Sequence, residues 1–356
     1  MSVSHLRSDR RLWLLLSSLV LLISIGLLAD HIAGSHSILV PFGPEDVSSS
    51  TEGFRPPGYV EIDEQGRCLV HHLGTDGIGR DVLARLIHGI PTALIIGIGS
   101  TAISLFVALL LGLSAGYFGD DRLKVGVVKL AWIGTVTFLS MFYVREFFMQ
   151  GSGLGLLAVL VISGISLTLG SVMINRLLKQ KTITLPVDTI VQRMIEIFRA
   201  VPRLFIFLAI YAFIPNPSIG AVILLLGLVR WVAMTRIIRA ETMRVSEMSY
   251  VRSAELNGLR AYRISVGHIL PNIIGPIMVA SSFSASTAIL VESTLSFLGI
   301  GVPSDVVSWG QMLSSSREFI KAWWVAVPPG AMIFLQIILF NSIGARIEEL
   351  RMHRRS

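Results

Sequence analysis

Charge is scarce in this sequence. Only 15% of its 356 residues are Asp, Glu, Lys or Arg, whereas 53% are hydrophobic and the mean hydropathy is +0.71. Soluble domains average about 25% charged residues, so the composition excludes an ordinary soluble globular protein and predicts an integral membrane protein. Cysteine is nearly absent as well. Cys68 stands alone, which excludes an intrachain disulfide framework.

Two motifs of common chemistries are also missing. The sequence contains no G-x-x-x-x-G-K-[ST] loop, which would cradle ATP phosphates, and no H-E-x-x-H zinc-protease motif. His71 and His72 lack a Cys or a carboxylate at metal-ligand spacing, so we predict no metal site there. These absences argue against ATP binding through that loop and against a zinc protease.

Long apolar runs recur along the chain, and a run of about 20 residues is the length that crosses a bilayer. Eight spanning helices are predicted. The fifth contains Glu196, Arg199, Pro202 and Arg203, so its apolar part starts late. The predicted spans are Leu12–Ala29, Thr92–Phe118, Val125–Val144, Gly151–Asn175, Ile195–Pro215, Ser218–Met234, Ile269–Val291 and Ala322–Gly344.

Basic residues predict the orientation, because Lys and Arg favour the cytoplasmic side of a membrane. Arg7, Arg10 and Arg11 precede the first span and place the N-terminus inside. An even number of spans then returns the basic tail, 346–356, to the same side. A cleaved signal peptide is the alternative for the first run, but its small-residue cleavage site is weak. The predicted fold is all-α, with about eight spans and both termini cytoplasmic.

Four regions follow from this topology. They are 1–30 (tail and first anchor), 31–91 (outer loop), 92–345 (transmembrane domain) and 346–356 (cytoplasmic tail). The outer loop is expected to end in an interfacial amphipathic helix that leads into the second span. Asp76, Arg80 and Asp81 are expected to cap that helix, which is a simpler explanation for them than contact with a partner.

One polar stretch, "SYVRSAELNGLRAYRISVGHILPN" (Ser249–Asn272), separates two apolar runs. Val251, Ala254 and Leu256 are expected to share one face of a short helix. Gly258 then permits a backbone turn that other residues resist. A helix followed by such a turn at the inner face of the membrane can project into a groove of a partner.

The second half of the stretch, Leu259–Ile269, predicts another short helix, and Pro271 is placed in the first turn of the next span. The alternative is a basic amphipathic loop that only touches lipid headgroups. Composition alone leaves the two interpretations equally open.

The stretch resembles the coupling loop of ABC importer permeases, whose motif is Glu-Ala-Ala, then a Gly, then an Ile-x-Leu-Pro ending. Four residues match it, namely Ala254, Gly258, Leu270 and Pro271. Arg252 and Ser253 depart from it, standing where the family has Glu and the first Ala. His268 occupies the Ile position.

Three further stretches resemble the dipeptide and oligopeptide branch of that family, and they occur in the family's order. They are "GTDGIGRDVLARL" (Gly74–Leu86), "LSAGYFG" (Leu113–Gly119) and "ESTLSFLGIGVP" (Glu292–Pro303), followed by "SWG" (Ser308–Gly310). The resemblance is strongest to the C-type permease and covers nearly all of the chain. Residues 123–187 depart from it, because the family usually has six spans and this stretch adds two.

The resemblance implies a type I ABC importer fold in the cell inner membrane, with a cytoplasmic coupling loop at 240–268. ATP and Mg²⁺ would be bound by partner ATPases and not by this chain. The implied partners are a second homologous permease, one or two ATPase subunits, an extracytoplasmic solute-binding protein and membrane lipid, with no nucleic acid. The implied coupling residues are Tyr250, Val251, Arg252, Ser253, Ala254, Glu255, Gly258, Leu270 and Pro271, with Ala254 and Gly258 at the docking centre.

Some residues inside the predicted spans keep two interpretations open. Glu292 and Ser296 are candidate pathway or gate residues, and a hydrogen-bonded structural role is the alternative for Glu292. For Arg203 and Arg230, snorkelling to the inner interface is favoured over ligand binding. Gly112 and Gly116 predict close helix packing on the second span.

Other functions also remain open at this point. Di- or oligopeptides are the leading cargo, and nickel, glutathione or another small solute is the alternative within the same importer class. A self-contained ion-coupled transporter would be expected to show symmetric halves with buried acids, and the halves of this sequence do not repeat.

Overall fold

The computed structural model describes residues 9–34, 40–47, 53–62, 68–149, 153–177, 182–213 and 217–352. The predictions for Arg7 and for the ends of both tails lie outside these described residues. So do Gly151, the first residue of the fourth predicted span, and Pro215, the last residue of the fifth.

Helices make up most of the described chain, as predicted. In chain order they are α1 (Arg10–Leu27), α2 (Ala29–Ile32), α3 (Val82–Phe118), α4 (Val127–Met149), α5 (Gly153–Leu177), α6 (Val187–Ala200), α7 (Arg203–Phe213), α8 (Ile219–Ser246), α9 (Ser249–Leu256), α10 (Ala261–Ile264), a π-helical turn (Ser265–Ile269), α11 (Leu270–Phe297), α12 (Trp309–Ser315) and α13 (Trp323–Met352). Four short strands were not predicted. They are β1 (Tyr59–Ile62), β2 (Cys68–His71), β3 (Lys124–Gly126) and β4 (Thr182–Thr184).

Chain contacts divide the protein into two compact units, residues 1–117 with 194–356 and residues 118–193. In the first unit, α11 packs along both α8 and α13, and α12 packs against α11 and α13. A Cβ atom at Gly112 would lie 2.8 Å from the Ile238 side chain, and one at Gly116 would lie 2.7 Å from the Arg239 carbonyl oxygen. The predicted close packing at these two glycines is therefore confirmed, between α3 and α8.

Seven helical segments of the described chain are long and apolar enough to cross a membrane. They are Arg10–Leu27, Val82–Phe118, Val127–Val144, Leu157–Ile174, Ile219–Ser246, Ala261–Phe297 and Trp323–Met352. These match seven of the predicted spans. Which side of the membrane holds the termini stays a prediction.

The fifth predicted span, Ile195–Pro215, differs from the prediction because it is not one helix. Pro202 lies between α6 and α7; it has no backbone N–H, and it disfavours helical geometry at Val201 before it. The 11 residues of α7 extend about 16 Å, roughly half of the bilayer's hydrocarbon thickness. This segment is therefore a shorter apolar helix preceded by an amphipathic one.

The helix predicted before Thr92 and the second span form one continuous helix, α3, with Pro91 inside it. The capping prediction is confirmed for Asp81, whose Oδ1 accepts a hydrogen bond of 2.7 Å from the backbone N–H of Ala84. Proline at position 91 removes one hydrogen bond from a helix of 37 residues. Tertiary packing of the buried face sustains the helix through this loss.

A histidine that is 1% exposed holds the segment before α3 together. His71 ends β2, and its Nδ1 lies 2.9 Å from Oδ2 of Asp81, while its Nε2 lies 3.2 Å from Oε2 of Glu61. Its ring stacks on Phe42 with 4.0 Å between ring centroids. The region predicted as a loop is thus tied to α3 by a buried carboxylate–imidazole–carboxylate arrangement.

This arrangement predicts a stability that depends on pH. Burial by itself lowers the pKa of His71, but hydrogen bonds to Asp81 and Glu61 outweigh burial and raise the pKa above its ordinary value. Because the folded-state pKa is the higher one, the stabilisation is fully present below the unfolded pKa of about 6.5 and is lost as pH rises through the raised folded value. Hydrogen exchange of the β1 and β2 amides, corrected for intrinsic rates, should show protection that falls over this range.

His71→Gln should flatten that pH dependence. It should also lower stability by about 3–5 kcal/mol, because two buried carboxylates lose their shared partner. The neighbouring exposed histidine offers a matched control, and His72→Gln should leave the profile unchanged. An unchanged profile in His71→Gln would assign the pH dependence to other groups.

The second unit contains the two helices of the predicted insertion. Helices α4 and α5 pack against each other, and Gly170 allows the contact because a Cβ atom there would collide with the indole of Trp132. The strands β3 and β4 pair antiparallel, with Lys124 opposite Thr184, and so bring the two ends of the insertion together. Only 6% of the apolar stretch Val127–Val144 in α4 is buried, and 0% of Leu157–Ile174 in α5. These helices therefore expose apolar faces suited to lipid.

Candidate coupling site

The polar stretch folds as a short helix closed by a defined cap. After α8 ends at Ser246, α9 runs from Ser249 to Leu256, and Gly258 follows with φ of +74°. The N–H of Gly258 donates to the Glu255 carbonyl at 2.9 Å, and the N–H of Leu259 donates to the Ala254 carbonyl at 3.2 Å. This pair of bonds is a Schellman cap, in which glycine is favoured because the left-handed conformation costs it little.

One face of α9 packs against its own chain. Val251 is fully buried and Ala254 is 6% exposed, and the two residues are three positions apart on one helical face. Helix α9 contacts α8 and α10, whose residue Ile264 is also fully buried. The predicted face was wrong in one member, because Leu256 is 90% exposed. Five residues at 100° each separate Leu256 from Val251 by about 140° around the helix.

The other face of α9 is open. Arg252, Ser253 and Leu256 are exposed, and Tyr250 is 39% exposed. Leu256 is 90% exposed, and it stands among polar residues on this face. We call Tyr250, Arg252, Ser253 and Leu256 the coupling face. The predicted docking centre is thereby divided, since Ala254 supports the helix from beneath while Gly258 lies at its exposed end.

The chain enters the next span without a break. The predicted second helix, Leu259–Ile269, is α10 plus the π-helical turn, and both continue directly into α11. Pro271 lies in the first turn of α11 and is exposed, while Leu270 is partly buried. The side-chain amide of Asn272 donates to the His268 carbonyl at 2.7 Å. The widened turn precedes the proline, whose ring would crowd the carbonyl four residues earlier in a regular α-helix.

Ion pairs tie the helix ends beside the coupling face. Glu241 of α8 lies 3.1 Å from Arg351 of α13, and it lies 2.7 Å from Arg244 within its own helix. These groups join two spanning helices next to the point where α9 begins.

Glu292 and Ser296 lie toward the other end of α11. Glu292 is 2% exposed, and its Oε1 accepts hydrogen bonds from the hydroxyls of Ser296 at 2.7 Å and Ser308 at 2.8 Å. Ser308 also caps α12, accepting from the Gly310 N–H at 3.1 Å. This is a closed hydrogen-bonded network that joins α11 to α12. The role of both residues as a pathway or gate stays a prediction.

A cleft of about 520 Å³ opens in the first unit. Its lining residues are Arg203, Arg230, Ala233, Met234, Ile237, Glu241, Pro276, Val279, Ala280, Phe283, Ser284, Thr287, Glu348 and Arg351. They come mainly from α8, α11 and the end of α13. Neither Glu292 nor Ser296 is among them. The cleft was missed from the sequence, because no local pattern shows which faces of three distant helices meet.

Comparison with known proteins gives the same family throughout. Residues 182–351 match the family described as binding-protein-dependent transport system inner membrane component. The di/tripeptide transport system permease protein DppC of Pseudomonas aeruginosa is 30% identical over 304 residues, covering 85% of this chain and 77% of the relative. The dipeptide transport system permease protein DppC of Alkalihalophilus pseudofirmus is 27% identical, covering 87% and 79%. The oligopeptide transport system permease protein OppC of Salmonella typhimurium is 30% identical over a shorter match, covering 44% and 52%.

Proposed function

This chain belongs to the family of binding-protein-dependent transport system inner membrane components, the permeases of ABC importers, and we propose that it forms half of a translocation pathway for di- or oligopeptides. It is a multi-pass protein of the cell inner membrane. We propose further that α9 is its coupling helix, through which partner ATPases drive the permease.

The main support for this coupling role is the way in which α9 is built. It is buttressed by Val251 and Ala254, closed by Gly258, and set between the spanning helices α8 and α11 with Leu256 at 90% exposure. A rigid short helix with an unpartnered apolar knob suits a groove on a partner protein. The lipid-headgroup alternative accounts for the arginines, but it gives no reason for a capped helix held on a buried face.

The proposed assembly contains a second homologous permease, one or two ATPase subunits and an extracytoplasmic solute-binding protein, all surrounded by lipid. ATP and Mg²⁺ would bind to the ATPases, and this chain would carry out no chemistry itself. Peptides are the proposed cargo because the relatives that cover most of this chain are named for dipeptide or di/tripeptide transport.

Reconstitution tests the function. The chain is purified in mild detergent with its co-purifying subunits and placed in liposomes, where ATP-dependent uptake of a radiolabelled dipeptide is measured. We expect accumulation that requires both ATP and the solute-binding protein. ATP-dependent uptake of nickel or glutathione, without dipeptide uptake, would keep the importer and overturn the peptide assignment. Transport by the chain alone, independent of ATP, would overturn the importer assignment.

Gly258→Asp and Gly258→Asn form a matched pair for the coupling assignment. A Cβ atom at Gly258 meets nothing within 4 Å, so neither side chain is hindered within the chain. Asp and Asn both tolerate the left-handed backbone, and they differ only in charge. We expect Gly258→Asp to weaken the binding of the ATPases by about tenfold, the effect of about 1.4 kcal/mol of lost contact, and so to lower ATP-dependent uptake, while Gly258→Asn stays near the wild type. Equal losses in both variants would mean that the turn geometry matters and the partner contact does not.

A further inference from the structure

The 520 Å³ cleft has two chemically different ends. At the end near the coupling face, Glu241 is paired with Arg351 and Arg244. The second carboxylate that lines the cleft, Glu348, stands near the end of α13. Arg230 lies on α8 about 16 Å before Glu241, at a rise of 1.5 Å per residue. The carboxylates of the cleft thus lie toward one end, and Arg230 lies toward the other.

Arg230 is held by a contact within the protein. It stands about 17 Å along α8 from the first residue of that helix. Its Nη2 donates to the backbone carbonyl of Ser284 on α11 at 2.8 Å, which holds the guanidinium across the cleft. Its Nη1 is buried and has no hydrogen-bond partner among the described residues. The side chain is therefore engaged inside the cleft, while its depth in the membrane stays a prediction.

A guanidinium keeps its charge in proteins and has five N–H donors in a planar fork. An intramembrane cation with an unused donor is costly unless an anion completes it, and such residues are functional candidates by default. Arg203, which also lines the cleft, adds a second positive charge. The lining carboxylate of α8, Glu241, is already paired with Arg351 and Arg244, and the lining residues of α11 include no acidic one.

We propose that Arg230 is a carboxylate-binding residue of the translocation cleft, which receives the C-terminal carboxylate of a peptide in transit. The proposal rests on the proposed function for the identity of the cargo. A carboxylate matches the guanidinium fork geometrically, and the apolar wall formed by Val279, Ala280 and Phe283 would accept side chains of varied type. Recognition of a group common to all linear peptides, beside a wall without specific polar groups, suits a permease that leaves side-chain selection to its binding protein.

The charge of the deep cleft is measured first, by the rate of thiol labelling. Thr287 lines the cleft one turn beyond Ser284 and is exposed, and the chain's single native cysteine is removed by Cys68→Ser. In the assembled complex in nanodiscs, Thr287→Cys is labelled with two methanethiosulfonate reagents. One carries an anionic sulfonate group and the other a cationic trimethylammonium group. A nearby cation makes the thiol more reactive toward both reagents, and this shared effect cancels in the ratio of the two labelling rates. Divided by the same ratio for a free thiol in solution, it reports the local electrostatic field.

We expect the anionic reagent to be favoured, and Arg230→Gln to reduce that preference by about tenfold. Arg230→Lys should retain most of it. Arg236→Gln is the matched control, because it removes the same charge from an exposed position of α8 that does not line the cleft. A preference that Arg230→Gln leaves intact would overturn the proposal. Each variant is compared only after it elutes as an assembled complex.

Ligand protection then identifies the bound group. Millimolar dialanine should slow the labelling of Thr287→Cys, dialanine amide should not, and Arg230→Gln should remove the difference. Equal protection by both peptides, or by neither, would overturn the carboxylate assignment. Wild-type dipeptide uptake is measured in parallel. If it is present while protection fails, this inference alone is wrong, and if uptake is absent, the proposed peptide function itself has failed.

Discussion

Leu256→Asp should separate the permease from its ATPases while leaving the membrane domain intact. Leu256 is 90% exposed on the coupling face, so the substitution disturbs no packing inside this chain. In a partner's groove, the same position would become a desolvated and unpaired carboxylate. A buried uncompensated charge costs about 3–5 kcal/mol, so we expect affinity for the ATPases to fall by about 100-fold or more.

The measurement is co-purification of ATPase subunits in mild detergent, together with ATP-dependent uptake after reconstitution. Ile320→Asp is the matched control, because Ile320 is an aliphatic residue with 91% exposure in the loop before α13, at the end of the bundle away from α9. It should retain its ATPases. If Leu256→Asp retained them as well and imported at the wild-type rate, α9 would not be the coupling helix.

The positions of the spans were predictable because each depends on a property of one continuous segment. Length and apolarity locate α1, α3, α4, α5, α8, α11 and α13, and no knowledge of their neighbours is needed. The division at Pro202 was visible in the sequence as an interruption. The sequence did not show that Pro202 would end a helix, since Pro91 lies within the continuous helix α3. Tertiary packing decides between these outcomes, and a single sequence does not display it.

Helix α9 and the turn after it were predictable in position, but the face that the helix buries was not. The turn at Gly258 follows from one residue type, and the resemblance supplied the boundaries of the loop. Which face of α9 is buried depends on Ile264 and on the end of α8, which approach it only in the folded chain. Leu256 was assigned to the buried face because it is apolar. A stricter use of the 3.6-residue period would have separated it from Val251.

The contact made by Arg230 was not predictable for a related reason. The partner carbonyl at Ser284 is 54 residues away in sequence, so no local pattern reveals the contact.

The contact between α11 and α12 leads to the second large effect. A Cβ atom at Gly310 would lie 2.5 Å from the Ser293 carbonyl oxygen and 2.7 Å from Cβ of Ser296. Because the obstacle includes backbone, no side-chain rotation relieves it. Helix α12 would have to move off α11, drawing Ser308 away from the carboxylate of Glu292. Overpacking costs about 1–3 kcal/mol and a lost hydrogen bond about 0.5–1.5, so Gly310→Ala should destabilise the unit by about 1.5–4.5 kcal/mol.

Gly330→Ala is the matched control for that loss. Gly330 lies in α13, and a Cβ atom there has only one neighbour, the Leu313 side chain at 4.0 Å. Alanine should therefore be neutral or stabilise the helix by up to about 1 kcal/mol, because it is the better helix former. Unfolding in detergent, followed by the fluorescence of Trp309 and the other tryptophans, measures both variants. Ser308→Ala separates the two contributions, because it removes the bond to Glu292 without the collision and should show the smaller loss. If Gly310→Ala and Gly330→Ala had the same free energy of unfolding, α12 would have room to shift. Packing would then not explain why glycine stands at position 310.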